Sequence, residues 1–490
     1  MGSARAARWL DGLGWVLLAL AGARFAVVVA GQLAWPLDLE FETLQLRTVR
    51  VIESGRNPYG AETYADLPFV FSVYTPLYHL LVAALPEVAG RPFLVGRLVA
   101  LGAMLLVAGS LFLVDGRRTR PGLAAFACGW LLLLWPVAGH SAYMRQEPLG
   151  LLASSAAVLL LARGGTRAAA GAAVCSLLAL GFKQSCVAPL LAGLLYLSLA
   201  RRLAELRVFL AVLVGLGGAA ALVATWVWGR GFWFCTTAGT VDAWSGAQLA
   251  HAWAEMARQP AFVALLAAAV LVAALAARRG AAALRDSPYP AFALVSLLLL
   301  LASVGKAGSH ILYFFDLILA LPMWLVFELG RASPLPRPAA LAGLLVLALA
   351  VHDVATTGRR RNILAWPDPV TEPGLEYAEH ARAGLAERGL EHPLVLNLGP
   401  LRAVGSITDD FCVNDALLYD RLFRTGRLSP EPLLAAVRRR AFDLVLIASK
   451  QPVPPPAGAD DPMSRVVAAV DEEYRLIGSD LVLQYFVRGP

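Results

Sequence analysis

Leu13-Gly-Trp-Val-Leu-Leu-Ala-Leu-Ala-Gly-Ala-Arg24-Phe-Ala-Val-Val-Val-Ala-Gly-Gln-Leu-Ala-Trp35 is an apolar run broken by a single charge, and Pro36-Leu-Asp38-Leu-Glu40-Phe-Glu42 follows it at once. About 20 apolar residues are needed to cross the hydrocarbon core of a bilayer, so the run predicts a membrane helix. The basic residues Arg5 and Arg8 before it place the N-terminus inside. Ala21-Gly22-Ala23 has the form of a signal-peptide cleavage site, but the run continues well beyond it, which favours an uncleaved first helix. A mid-span arginine costs about 2.5–3.5 kcal/mol on insertion scales, so Arg24 is expected to face the bundle interior or a wet cavity.

The rest of the chain agrees with that start. Of 490 residues, 58% are hydrophobic and 16% charged, against roughly 45–50% and about 25% in a soluble domain. Mean hydropathy is +0.63. A cytosolic enzyme, a disordered scaffold and a disulfide-rich secreted module are excluded. The net charge of +7 could suggest nucleic acid, but the basic residues fall in short clusters between apolar runs. That pattern orients a membrane protein, and no nucleic-acid partner is expected. Five cysteines show no CxxC spacing, and a Cys235–Cys412 bridge is left open.

Further apolar runs cover 93–114, 121–139, 149–163, 168–182, 186–200, 207–228, 260–277, 289–304, 311–328 and 338–355. Pro76–Leu85 is too short to span. Leaving it out puts Arg117, Arg118 and Arg120, Arg163/Arg167, Arg201/Arg202/Arg207, Arg278/Arg279/Arg285 and Arg331/Arg337 on one side. The charge rule therefore lays Pro76–Leu85 along the outer surface and gives about eleven spans, N-terminus inside and C-terminus outside. The expected architecture is a polytopic α-helical membrane protein of the cell (plasma or inner) membrane. A transmembrane domain, 1–355, carries a first outer loop at 36–92, and a small extracytoplasmic α/β domain occupies 356–490. The aromatic-rich stretch 229–258 is expected as an interfacial outer loop. In the C-terminal domain, Leu394–Leu398, Phe442–Ala448 and Leu481–Val487 read as strands, and 372–389, 415–425, 430–440 and 463–473 as helices.

Several motifs fail. Ser303-Val-Gly-Lys306 matches SxxK without its companion motifs, Gly305-Lys306 lacks the upstream glycine of a P-loop, and the seven histidines show no paired metal-ligand spacing. No metal site and no cofactor are assigned, and a divalent ion is neither required nor excluded. The informative stretch is Asp38-Leu-Glu40-Phe-Glu42: three carboxylates within five residues at the mouth of a bundle, in a chain poor in charge. A solvated loop is the competing reading, and a general base beside a cavity is the functional one. Lys183, Lys306 and Lys450 are the only lysines, and the first two fall at outer span ends, as do Arg97 and Arg145. Isolated cations at one membrane face suit a lipid phosphate, although each could simply snorkel.

Glu42 to Gly55, then Tyr74-Thr75-Pro76-Leu77-Tyr78-His79, then Tyr143-Met-Arg145-Gln-Glu147-Pro148, Lys183-Gln184-Ser185 and Gly305-Lys306-Ala-Gly308-Ser309 with Tyr313-Phe-Phe-Asp316 form an ordered series. In that order they resemble the polyprenyl-phosphate-sugar-dependent glycosyltransferases of the GT-C superfamily. The likeness is strongest to bacterial relatives of protein O-mannosyltransferases and lipid A aminoarabinose transferase (family 39-like, RgtA/B/C/D-like). Glu147 stands where the family more often has Asp, and the family's Asn before Tyr313 is absent. The resemblance implies an inverting transferase moving a sugar from a polyprenyl-phosphate donor to a hydroxyl of a lipid, glycan or protein acceptor. It implies a catalytic carboxylate among Asp38, Glu40 and Glu42 and donor-phosphate contacts from Arg145, Lys183, Lys306 and Arg97. Substrate contacts are implied for Tyr59, Tyr74, His79, Glu147, Gln184, His310 and Asp316. The rival reading, a lipid-linked-sugar flippase or secondary transporter, expects a two-fold repeat and midplane charges; no repeat is visible, and apart from Arg24 the isolated charges lie at the outer face. Cysteine labelling at Thr119 and Thr356 tests the topology: the two positions should react from opposite sides of the membrane, and labelling from the same side would shift the span count by one.

Overall fold

The computed structural model describes residues 3–36, 38, 42–88, 90–114, 120–238, 243–280, 282–306, 311–331, 379, 382–390, 393–399, 408, 411–448, 461–479 and 483–488. Glu40, His310 and the 338–355 span lie outside the described residues.

Among the described residues, the apolar runs are helical. The run that opens the chain is α1, Ser3–Ala34, followed by α2, Glu42–Glu53, a single turn α3, Ala61–Tyr64, and the short α4, Leu77–Ala83. Then come α5, Leu94–Ser110, α6, Pro121–Leu133, α7, Trp135–His140, α8, Glu147–Arg163, α9, Thr166–Phe182, α10, Ala188–Leu199, and α11, Leu203–Ala238. The bundle is completed by α12, Gly246–Ala257, α13, Pro260–Ala277, the turn α14, Ala282–Asp286, α15, Pro288–Ser303, and α16, Phe315–Arg331. Among the described residues, Asp11–Ala34, Leu94–Leu113, Leu203–Thr237 and Ile311–Arg331 are each long and apolar enough to cross a membrane. Helices α12 and α13 form a pair bent by 100°. The remaining apolar helices are shorter than a full span, and α4, with seven residues, is far too short for one.

Close backbone approach holds the first pair together. A Cβ on Gly14 would lie 1.8 Å from the Gly122 carbonyl oxygen, and one on Gly122 would lie 2.1 Å from Asp11 Cα. Only glycine lets α1 and α6 pack this closely, as small residues do between membrane helices. The 121–139 run is not one helix. At Leu134, before Trp135-Pro136, the backbone turns extended (ψ 126) and separates α6 from α7. Buried Arg24 donates from Nη1 to the Leu133 carbonyl at this break (3.3 Å), and Gln32 Nε2 donates to the carbonyls of Ala138 (3.3 Å) and Gly139 (2.8 Å) at the end of α7. Polar side chains of α1 thus satisfy carbonyls that the broken helix leaves open. The other extreme is α11. Val214, Leu222 and Trp226 stand 73–86% exposed along it, a face suited to lipid.

The expected interfacial loop at 229–258 is instead largely helical. Gly229, at φ 67, bends α11 in a conformation that costs glycine least, and the helix runs on to Ala238. Phe232 and Cys235 are buried rather than interfacial: they join a core with Tyr59, Phe69 and Phe71 of the first loop and the C-terminal domain. Trp253 packs on Phe262 and Phe314. Cys235 and Cys412 share that core as free thiols, so no bridge joins them.

The C-terminal domain has a five-stranded sheet in the order β2-β1-β3-β5-β4. Its strands are β1, Val395–Leu398, β2, Phe411–Cys412, β3, Leu444–Ala448, β4, Tyr474–Ser479, and β5, Leu483–Arg488. β2, β1 and β3 run parallel, while β5 is antiparallel to both β3 and β4. Alternate residues of β3 enter different cores: Val445 and Ile447 face the core shared with the first loop, Leu444 and Leu446 the opposite one. Both faces are covered, which explains why these strands read as continuous apolar runs. Among the described residues it is completed by α17, Ala416–Arg424, α18, Glu431–Arg438, and α19, Pro462–Glu473, together with the helical segment 382–386, whose Leu385 enters the core opposite the first loop. Asp415 and Asp461 cap α17 and α19 by accepting from the N–H groups of Leu418 and Ser464, both at 2.9 Å. Asn414 fixes the domain to the first loop, accepting from the Phe71 N–H (2.8 Å) and donating to the Phe71 carbonyl (3.1 Å).

The glycine contact makes a direct prediction. Gly14→Val should force α1 from α6 and lower the thermal midpoint of the detergent-purified protein, whereas Gly12→Val, at a position with nothing within 4 Å, should leave it nearly unchanged.

Candidate active site

The carboxylates read from the sequence occupy the link between α1 and α2. Asp38, 1% exposed, closes the first turn of α2: Oδ1 accepts from the Glu42 N–H (2.9 Å), and Oδ2 accepts from the Thr43 N–H (3.1 Å) and hydroxyl (2.5 Å). A carboxylate there meets the positive end of a helix. Burial, with repulsion from Glu42, nevertheless outweighs these bonds and pushes its pKa up to about 6.

Glu42 is wholly buried and opposes Arg97 of α5 in a two-pronged ion pair, Nε to Oε1 at 2.9 Å and Nη2 to Oε2 at 2.5 Å. Oε1 also accepts from the Met144 N–H at 2.6 Å. Arg97 Nη1 donates to the carbonyls of Gln32 (3.0 Å) and Trp35 at the end of α1. Arg97 was expected at a phosphate; the donors that can be traced hold Glu42 and α1 instead.

The turn beginning at Tyr143 carries the adjoining cluster. Arg145 Nη1 lies 3.9 Å from Glu147 Oε1, and Lys183, the extended residue that follows α9, donates from Nζ to the same oxygen at 2.6 Å. All three side chains are buried. The Lys183 ammonium also lies 5.6 Å from the ring centroids of Tyr74 and Tyr313. Burial alone would favour its neutral form, but Glu147, Tyr74 and Tyr313 outweigh burial and raise its pKa. The Asp316 carboxylate lies within electrostatic reach of Lys183, and its buried Oδ1 has no hydrogen-bond partner among the described residues.

The other expected site residues divide. Tyr59 is fully buried between Trp228 and Phe232, and its hydroxyl donates to the Tyr74 carbonyl (2.6 Å), so it braces the residue that faces Lys183. Gln184 donates to the Val73 carbonyl (2.7 Å), one residue before Tyr74. His79 is turned away, its Nε2 paired with Gln45 Oε1 at 2.6 Å. The Lys306 backbone bridges to Trp244, and among the described residues no ion pair joins its ammonium to the Lys183 cluster. Two residues enter that sequence reasoning missed. Tyr313 was noticed only as part of a motif, and its ring faces Lys183. Gln146 is 0% exposed with neither amide atom hydrogen-bonded among the described residues. Its position between Arg145 and Glu147 was the available signal. Among the described residues no group of three or more His, Cys, Asp or Glu side chains converges as a metal site.

Two solved structures share this architecture. ArnT from Cupriavidus metallidurans, in the apo state and bound to undecaprenyl phosphate, matches in each state with a TM-score of 0.63 at 12% identity, over 97% of this chain and 99% of that one. The chain has the fold of ArnT. The likeness to ArnT includes the C-terminal domain, since the match spans nearly both chains. No family model and no curated protein sequence matches.

Glu42 and Arg97 test separately from the Lys183 cluster. Removing one member of a buried pair costs about 3–5 kcal/mol, because the other charge is stranded. Glu42→Gln and Arg97→Met should each lower the thermal midpoint strongly, and the Glu42→Gln/Arg97→Met double variant should lose less than the sum of the two.

Proposed function

We propose that the chain is an integral-membrane glycosyltransferase that takes a sugar from a polyprenyl-phosphate donor and passes it, with inversion, to an acceptor hydroxyl on the outer face of the membrane. The observation that carries this reading is the buried Arg145–Glu147–Lys183 cluster joined through Met144 to the Glu42 carboxylate, at the start of the helix that Asp38 closes. The fold adds support: the matching ArnT structure holds undecaprenyl phosphate. That likeness is in architecture, and the sugar and acceptor are not specified by it.

The chemistry follows from the residues. Lys183 and Arg145 hold the donor phosphate and meet its growing charge, and Glu147 fixes their geometry. The acceptor oxygen attacks the anomeric carbon from the face opposite the phosphate. The carbon–oxygen bond to phosphate breaks, polyprenyl phosphate leaves with the bonding pair, and the hydroxyl proton passes to a carboxylate. Asp38 suits that role better than Glu42. A carboxylate offers about four acceptor sites, and both groups have three bonds traced to them, but two of those on Glu42 come from the Arg97 guanidinium, an ion pair that commits it to holding α5, whereas those on Asp38 come only from Thr43 and the backbone. The unmet hydrogen-bonding capacity of Gln146 and Asp316 suits sugar hydroxyls. Phosphate leaves readily, so the scheme needs no second carboxylate acting as an acid, unlike a glycosidase.

Two measurements on purified protein with a labelled polyprenyl-phosphate sugar test the scheme. Asp38→Asn should cut transfer about 100-fold or more with the fold retained. A base must be ionised, so with a pKa of about 6 the wild-type rate should climb as pH rises towards 6 and level off above it. A flat profile, or full activity in Asp38→Asn, would remove Asp38 as the base. Lys183→Gln should lower kcat/KM about ten- to 100-fold, the effect of one charge-assisted contact. Transport of the intact donor without transfer would favour the flippase reading instead.

A further inference from the structure

A cavity lined by arginines and apolar side chains lies outside the charged cluster. It has a volume of about 490 Å³ and opens between α2 and the C-terminal sheet, with Arg47, Arg50, Ser54, Arg56, Leu67 and Leu394 on its walls. Three of its lining residues are arginines and none is acidic. Arg50 is partly neutralised by Glu53 (2.9 Å) and Glu87 (3.0 Å). Arg56 is not: it donates to the carbonyls of Glu62 (3.4 Å) and Leu67 (3.1 Å), and no carboxylate pairs with it among the described residues. Arg47 is nearly buried, its guanidinium 5.8 Å from the Phe411 ring centroid on β2. Planar guanidinium groups along one cleft match phosphate and carboxylate oxygens better than they match neutral sugar.

The position of the cleft narrows its occupant. Arg47 and Arg50 follow Glu42 on the same helix, about 8 Å and 12 Å along its axis at 1.5 Å per residue. Asp38 closes the start of that helix. A molecule with an anion in the cleft could therefore present a hydroxyl near Asp38 across a short saccharide. The donor phosphate is accounted for by Arg145 and Lys183, and the cleft lies between the first loop and the C-terminal domain rather than among apolar helices. We infer that this cleft binds a phosphate or carboxylate carried by the acceptor, a short saccharide length from its reacting hydroxyl. The identification of the occupant as acceptor rests on the transferase reading above; the anion site itself does not.

The test uses the full chain in phosphatidylcholine nanodiscs and direct binding of three probes: a trisaccharide monophosphate, the same trisaccharide without phosphate, and inorganic phosphate. The phosphorylated trisaccharide should bind at least about tenfold more tightly than either of the others, as expected for a charge-assisted contact added to saccharide contacts. Arg56→Gln, at an exposed position, should weaken it several-fold. Ser54→Glu, which adds a negative charge to the wall without removing a buried group, should weaken it at least as much. Unchanged binding in both variants, or equal binding of the neutral trisaccharide, would overturn the site. Inorganic phosphate binding as tightly as the trisaccharide phosphate would overturn an acceptor-borne anion in favour of a free one. Binding of polyprenyl phosphate should be the same in wild type and both variants. If the wild type fails to bind polyprenyl phosphate while the phosphorylated trisaccharide still binds at the cleft, the transferase reading falls and the anion site stands.

Discussion

The buried pair of Glu42 and Arg97 is the contact on which the arrangement of this end of the bundle depends. Burying two charges is costly, and the cost is offset only when the geometry is good and the remaining donors and acceptors are used. Here Arg97 reaches the last carbonyls of α1, and Glu42 accepts from the backbone of the 143–147 turn. One pair therefore joins the end of the first helix, the start of α2, the start of α5 and the turn that carries Arg145 and Glu147. Each of those segments would be free to shift if the pair were replaced by apolar side chains, even where such a replacement kept the chain folded.

Two acidic residues four positions apart consequently have different tasks. Glu42 is neutralised by a guanidinium and serves as a fixed point. Asp38 has no such partner among its traced contacts, only hydrogen bonds from Thr43 and the backbone, and its proton affinity is raised by burial and by its neighbour. Across the cluster, Glu147 is tied to Lys183 through Oε1 only, and its Oε2, like Asp316 Oδ1, has no hydrogen-bond partner among the described residues.

Much of the fold was legible because membrane helices announce themselves by composition, and the strands of the C-terminal domain by uninterrupted apolar runs. Departures have local causes. Leu134 breaks a run whose hydropathy is continuous, since the Trp135-Pro136 step acts on the backbone and not on hydrophobicity. The aromatic stretch after Trp228 looked interfacial, yet Phe232 buries against the first loop, a partner that lies far away in sequence, while Trp233 and Trp244 stay exposed. β2 has two residues and β4 is an edge with mostly exposed side chains, so neither carries a pattern. In the site, the sequence grouped Arg145, Lys183, Lys306 and Arg97 as phosphate contacts and set Glu147 among the substrate contacts. It could not separate Arg97 from Arg145 and Lys183, because the carboxylate that Arg97 pairs with lies 55 positions away.

The clasp between Asn414 and Phe71 bears on how the molecule is made. A ribosome completes the first loop long before it reaches the residue that locks it, since 343 positions separate the two. Until then Phe69, Phe71 and Tyr59 lack most of the core that later covers them. Contacts of such long sequence separation form slowly and leave apolar surface open in the interim. Biogenesis of this protein therefore has a late closing step: a chain truncated before its last sheet would insert its helices and still expose the loop that bears its carboxylates, a natural target for quality-control proteases.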